Sequence, residues 1–240
     1  MNGTPIHIAG TRLIADPAGA VYAPEHRVLM VADLHLEKGS AYAAAGAMLP
    51  PYDSRHTLMS LERLCRHYAP DTVYCLGDSF HDDEGAERLG SVERARLCHL
   101  GSRHKLIWIA GNHDAHATPP CGETVDEAVV GRLVLRHEAR REAMPAGEIS
   151  GHFHPKASVR LRGRHISGRC FVADANRLLL PAFGAFAGGL DATDPAIASL
   201  FGPRFKVFMM SRQRLVAIAR AQLLPPRAGL AGADRPPAIG

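Results

Sequence analysis

The chain of 240 residues has only four lysines, Lys38, Lys105, Lys156 and Lys206, so nearly all of its positive charge is arginine. The formal net charge of +4 is mild and permits an anionic partner without demanding one. The five cysteines, Cys65, Cys75, Cys98, Cys121 and Cys170, are odd in number and form no CxxC pair. That argues against a disulfide or zinc-ribbon framework and for a reducing compartment. No apolar stretch approaches the roughly 20 residues of a membrane span. The N-terminal Met1-Asn2-Gly3-Thr4-Pro5 has no charged region followed by an apolar one, so no signal peptide is read there; a cytoplasmic location is expected. No internal repeat or linker is evident, which points to one domain over residues 1–224. The Pro-, Gly- and Ala-rich stretch 225–240 is expected to be a disordered tail.

Hydrophobic residues make up 46% of the chain, enough for a full core. Fourteen histidines are a heavy use of the commonest side-chain metal ligand. Short apolar runs end in polar groups. Val28 to Ala32 leads into Asp33-Leu34-His35, Val73 to Leu76 into Gly77-Asp78, and Leu106 to Ala110 into Gly111-Asn112-His113-Asp114. Leu133-Val134-Leu135 is soon followed by His137. Each reads as a buried strand. Between them, Asp53 or Ser54 is expected to cap a helix bearing Leu58, Leu61, Leu64 and Tyr68, closed by Pro70. Residues 84–102 carry Leu89, Val92, Leu97 and Leu100 at amphipathic spacing. Beyond about residue 120 the pattern predicts hairpins and little helix. The order βαβα followed by β favours a layered α/β domain.

In open α/β sheets, ligands bind beyond the carboxyl ends of the strands. Here those ends carry Asp33, His35, Asp78, Asn112 and His137, and Gly151-His152-Phe153-His154 adds two imidazoles. In extended segments Asp33 and His35 would project to one side, as would His152 and His154. Seven donors are too many for one ion and suit two that share a carboxylate. Mixed Asp/His/Asn ligation favours Mn, Fe or Zn over Mg or Ca, and such a pair clamps both sides of a displacement at phosphorus.

Asp33-x-His35, Gly77-Asp78, Gly111-Asn112-His113-Asp114, His137 and Gly151-His152-x-His154 together resemble the signature of the calcineurin-like metallophosphoesterases. The resemblance implies an α/β fold, a four-layer α-β-β-α sandwich of two mixed β-sheets flanked by helices. It implies one metal held by Asp33, His35, Asp78 and His154, and another held by Asp78, Asn112, His137 and His152, with Asp78 bridging. His113 is then left free to act as an acid or to orient phosphate, with Asp114 fixing its tautomer. The implied nucleophile is a water or hydroxide shared by the two ions. The segment Ser79-Phe80-His81-Asp82-Asp83 departs from the commonest pattern. His81 and Asp82 read either as an access loop or substrate-facing groups, or as a solvated helix start capped by Asp82 or Asp83. Glu138 follows His137 where many relatives have a small residue.

Two longer stretches, Asp33 to Gly39 and Leu179 to Leu190, are similar to the bacterial ligase-associated (PdeM-like) metallophosphoesterases. That likeness implies manganese-dependent hydrolysis of phosphodiesters, including nucleic acid, and association with a ligase, helicase and exonuclease repair set. The glycines Gly184, Gly188 and Gly189 read as bulges or tight turns between sheet layers, or as a cleft rim where backbone approaches substrate. Lys38 is a candidate phosphate contact or a solvated loop lysine. Arg160, Arg162 and Arg164 alternate, so on a strand they would line one face and either track phosphates or lie solvated. Competing functions are a phosphatase or small-molecule (nucleotide) phosphodiesterase and, disfavoured by the complete ligand set, a non-catalytic scaffold.

Overall fold

Apolar runs buried on both faces make the strands that carry the site. In the computed structural model, which describes residues 3–44, 46–47, 52–142 and 146–225, these strands form two sheets. The first runs in order β1 (Thr4–Ile8), β2 (Thr11–Ala15), β3 (Val21–Ala23), β4 (Val28–Val31), β5 (Thr72–Leu76), β6 (Lys105–Ile109) and β7 (Glu123–Val125). The first three pairings are antiparallel and β4 to β7 are parallel. The second sheet contains β8 (Ala128–Val130), β9 (Leu133–Leu135), β10 (Gly147–Ser150), β11 (Lys156–Leu161), β12 (Arg164–Ala173), β13 (Arg177–Leu179), β14 (Lys206–Met210) and β15 (Leu215–Ala219). Its order is β15-β14-β12-β13-β10-β9-β8, with β11 paired to β12; β9, β10 and β13 are mutually parallel.

The sheets share one core. Ile8, Leu13, Met30, Leu76 and Ile109 from the first pack with Leu133, Ile149, Phe171 and Leu178 from the second. Alternate residues of the first sheet, Leu29, Val31, Val73 and Trp108, meet Leu58, Leu61 and Leu64 of α2 (Asp53–Tyr68) and Leu97 and Leu100 of α4 (Ser91–Arg103). Each such side chain contributes about 1.5–3 kcal/mol when fully buried. The second sheet's outer face is covered by α5 (Pro195–Ala198) and Phe205, packed on Val172, Leu179 and Val207. The layer order is therefore α-β-β-α, as expected, with one thin outer layer. Among the described residues no helix is long and apolar enough to cross a membrane.

Two local expectations are corrected. Tyr52, not Asp53 or Ser54, is the N-cap of α2, and it makes no side-chain cap. Asp53 instead accepts from the Gly39 amide at 2.9 Å and Ser54 from the Glu37 amide at 2.8 Å. These bonds hold α1 (Lys38–Ala44) and the chain just before it. The 84–102 segment is not one helix. It divides at Leu89-Gly90 into α3 (Gly85–Arg88) and α4, and Val92 turns to solvent. The expected tail lies almost wholly at residues 226–240, outside the described residues.

Candidate metal centre

Every donor expected from the sequence lies just past a strand: Asp33 and His35 after β4, Asp78 after β5, Asn112 after β6, His137 after β9, and His152 and His154 after β10. The chain does not run extended through these positions, as the sequence suggested. Asp33, His35, Asp78, His152 and His154 all have positive φ, between 43° and 73°. Left-handed non-glycine residues cost of order 1–3 kcal/mol each and persist only where their surroundings hold them. Here the holding bonds are visible: Asp33 N–H donates to Gly77 O (3.2 Å), and His35 N–H to Asp78 O (2.9 Å). Because the backbone turns, His152 and His154 do not share a side. They divide between two clusters, Asp33/His35/His154 and Asp78/His137/His152, each able to hold a metal ion.

In the first cluster the Nε2 atoms of His35 and His154 are 3.2 Å apart, and His154 Nε2 is 3.5 Å from Asp33 Oδ1. In the second, Asn112 Oδ1 is 2.9 Å from His137 Nε2 and 3.0 Å from His152 Nδ1. The two imidazole nitrogens are 3.1 Å apart, and Asp78 Oδ2 is 3.4 Å from His137 Nε2. Adjacent donors at about 2.1 Å from an octahedral ion would be about 3.0 Å apart, so the spacing fits a divalent cation.

Tautomer chemistry gives the same fit. His137 Nδ1 lies 3.0 Å from the Leu76 carbonyl, which accepts a hydrogen bond from the Nδ1–H and so, in the neutral ring, leaves the lone pair on Nε2. That lone pair faces the oxygens of Asn112 and Asp78, both acceptors, an arrangement that a cation between them satisfies. In the metal-free chain a proton takes the place: burial pulls His137 down, but the Asp78 hydrogen bond and the Asp33 and Asp78 carboxylates prevail and push it up to about 9. Burial, then the neighbouring His154, holds His35 down to about 2, a neutral ring ready to ligate. Burial opposes ionisation of Asp78, yet contact with His137 keeps it well below the usual carboxylate range. Burial, followed by His137, also lowers His152. Asp78 is near both clusters, facing His137 directly and acting electrostatically on His35.

Glycine makes the loops fit. A β-carbon on Gly77 (φ 74°) would lie 2.2 Å from His137 Nδ1, and one on Gly111 2.2 Å from Asp78 N and Oδ1. Gly184 similarly presses against the Leu34 carbonyl, in keeping with the close turn read for that stretch.

His113 belongs to neither cluster. Its exposed ring sits edge-on to His35, centroids 5.5 Å apart, and stacks on His81 at 5.9 Å. Its backbone N–H donates to Asp78 Oδ1 at 3.0 Å. The role read for Asp114 is corrected. Its buried carboxylate does not bond the His113 ring; it accepts from the amides of Ser79 (2.6 Å), Phe80 (3.1 Å) and Gly111 (3.0 Å). Asp114 therefore ties the loop after β5 to the loop after β6. Burial, against those three bonds, raises its pKa.

Around the clusters, His81 is half-buried among His35, His113 and Tyr42, and burial followed by the charge of Lys38 lowers its pKa. Neither Asp82 nor Asp83 caps a helix: Asp82 grips Arg88 with both oxygens, at 2.8 and 2.7 Å, and Asp83 accepts from the His116 amide. Lys38 donates to Phe186 O at 3.0 Å and lies over Tyr42, linking the rim of the site to the glycine-rich stretch. Arg160, Arg162 and Arg164 do not line one face. Arg162 and Gly163, both with positive φ, form the turn of the β11–β12 hairpin. Arg160 pairs with His165 and Leu161 with Arg164, so Arg160 and Arg164 point to opposite faces. The anchors Asp53 and Ser54 were visible in the sequence only as possible caps.

One solved structure shares the architecture, and two more distant ones also align. The Pseudomonas putida nuclease MPE aligns with a TM-score of 0.70 and 29% identity over 90% of this chain and 100% of that one. The E. coli phosphoesterase YfcE gives 0.39 and 14% over 80% and 98%, and a predicted phosphoesterase from Streptococcus pneumoniae gives 0.30 and 14% over 80% and 97%. No curated protein sequence matches. The calcineurin-like phosphoesterase family model matches residues 26–167, a span that begins just before the first donor-bearing strand and ends past His154. The chain belongs to the calcineurin-like phosphoesterases, a family that works with a pair of divalent metal ions.

Proposed function

We propose that this metal-dependent phosphoesterase is a phosphodiesterase that cleaves nucleic acid. The observation that carries the reading is the pair of donor clusters, with Asp78 of the second acting electrostatically on His35 of the first and the exposed ring of His113 beside them. The likeness to a nuclease over nearly the whole chain supports the choice of substrate.

In this reading Asp33, His35, Asp78 and His154 hold one ion, and Asp78, Asn112, His137 and His152 the other. When bound, two divalent ions lower the pKa of water toward neutrality and neutralise charge on the phosphate. The nitrogen- and oxygen-rich donor set favours manganese, with iron or zinc as alternatives. Asn112 supplies a neutral oxygen, which keeps positive charge in the site. His113 presents an N–H to the leaving-group oxygen, as proton donor or as a hydrogen bond that orients the phosphate. Asp114 sets the loops that carry Asp78 and Asn112. Lys38 adds a positive charge at the rim. A role in DNA repair, beside a ligase, helicase and exonuclease, is the setting that the sequence likeness suggests.

The test combines metal content with turnover of a phosphomonoester, an aryl phosphodiester and single-stranded DNA. The expected result is two ions per chain and cleavage of the diester and the DNA. Turnover of the monoester alone would make the chain a phosphatase; turnover of nucleotide diesters but not DNA would make it a small-molecule phosphodiesterase.

A further inference from the structure

A cavity of about 890 Å³ is lined by the β2–β3 turn, α2, β12 and the β14–β15 turn. Three of its residues are arginines from three elements: Arg63 of α2, Arg169 of β12 and Arg212 of the β14–β15 turn. Among the described residues none of the three has a carboxylate partner. Arg169 donates to the carbonyls of Ala182 (2.8 Å) and Gly184 (3.4 Å) only. Burial lowers its pKa, although a guanidinium stays charged. The one acid in the lining, Asp16, is already committed, with Oδ1 accepting from the Ala18 amide at 2.8 Å and Oδ2 from the Tyr68 hydroxyl at 2.7 Å. The lining therefore presents three guanidiniums against one carboxylate, whose oxygens already accept hydrogen bonds.

Strand direction places this cavity at the same end of the sandwich as the metal donors. β3 is antiparallel to β4, so the turn before β3 lies at the end of β4 that carries Asp33. β13 is parallel to β10, and β12 is antiparallel to β13. The start of β12 therefore lies at the end of β10 that carries His152. β14, antiparallel to β12, ends there as well. A short chain of bonds joins the two places: Arg169 holds Gly184 O, and Gly184 N–H donates to Asp33 O at 3.1 Å.

We infer that the Arg63/Arg169/Arg212 cavity is a second phosphate-binding subsite, which grips the backbone of a polynucleotide strand whose scissile phosphate lies at the metal centre. A cavity of this volume suits a nucleotide-sized group. Guanidiniums can pair with phosphate through two hydrogen bonds and stack on bases. The inference rests on the proposed action on nucleic acid and supplies what the β11–β12 arginines, facing opposite ways, do not.

The experiment uses the full chain loaded with manganese. It compares wild type with the double variant Arg63→Gln/Arg212→Gln and with Arg63→Lys/Arg212→Lys; Arg169 is left intact because it supports backbone. Binding of a phosphorothioate single-stranded oligonucleotide is followed by fluorescence anisotropy across a salt series. Turnover is measured on single-stranded DNA and on an aryl phosphodiester. The glutamine variant can no longer neutralise the phosphates that Arg63 and Arg212 would meet. Its salt slope should fall by roughly 1.4, about 0.7 for each of those two phosphates. Its affinity, and its kcat/KM on DNA relative to the aryl diester, should fall about tenfold. The lysine variant should recover most of the slope. If wild type cleaves DNA and the glutamine variant keeps its slope and ratio, the subsite is overturned while the nuclease reading stands. If wild type cleaves the aryl diester but neither binds nor cleaves DNA, both are overturned.

Discussion

Asp114→Asn is the substitution on which the geometry makes its sharpest demand. The carboxylate serves three buried amides, at 2.6, 3.1 and 3.0 Å. Asparagine keeps one carbonyl oxygen, which can satisfy either Ser79 and Phe80 or Gly111 but not all three. Its NH2 group then opposes at least one backbone N–H. An unsatisfied buried donor costs about 1–3 kcal/mol, and the remaining bonds weaken when their acceptor loses its charge. Neutralisation returns part of the burial penalty that raises this carboxyl. The net loss should be about 2–3 kcal/mol, or roughly 4–12 °C in Tm for a chain of this size. Metal affinity should fall too, since the tied loops carry Asp78 and Asn112. The measurement is urea denaturation of the metal-free variant and wild type, with turnover on aryl phosphodiesters of good and poor leaving groups. If Asp114 only pins loops, both substrates should suffer alike. Stability within about 0.5 kcal/mol of wild type, together with a loss confined to the poor leaving group, would refute this account and return Asp114 to the service of the His113 ring.

Asp78→Ala should remove the carboxylate proposed to bridge the two ions; elemental analysis should then find no firmly bound ion, and two retained ions would contradict the bridge. His113→Ala should keep both ions yet lose activity by about 10²–10⁴-fold, less for a nitrophenolate leaving group; equal losses would mean that it orients phosphate and donates no proton. Gly77→Ala drives a methyl group into His137 at a positive φ, so one ion, on the Asn112 side, should be lost while the Asp33/His35/His154 ion stays. Stoichiometry by elemental analysis decides, and two ions at wild-type affinity would count against the packing argument.

Much of this centre was legible in the sequence because its donors follow apolar runs, and apolar runs reveal strand ends. Even the division of His152 and His154 between two clusters followed from the family resemblance, where the two-residue periodicity of a strand pointed the wrong way. Periodicity failed because the backbone at Asp33, His35, Asp78, His152 and His154 leaves the extended region; Asp and His are enriched in left-handed conformations, but these are so uncommon for non-glycine residues that the enrichment does not mark single positions. Asp114 was misassigned for a related reason. Its neighbour in sequence is His113, but its partners Ser79 and Phe80 are 35 and 34 residues away. The same distance blindness hid Arg63, Arg169 and Arg212, which meet only because a helix, a strand and a turn converge. The arginines that did stand out, 160 to 164, stood out through alternation that a hairpin turn cancels.

The donor clusters straddle the sandwich: Asp33, His35, Asp78 and Asn112 hang from one sheet, and His137, His152 and His154 from the other. An ion held between His35 and His154 would join positions 119 residues apart. In a chain whose five cysteines are all unpaired, such an ion is a reversible cross-link. By the loop-entropy reasoning used for disulfides, closing a loop of about 100 residues is worth of order 4–5 kcal/mol. Activity and cohesion would then be lost together on chelation, with the sandwich loosening first along the edge where catalysis takes place.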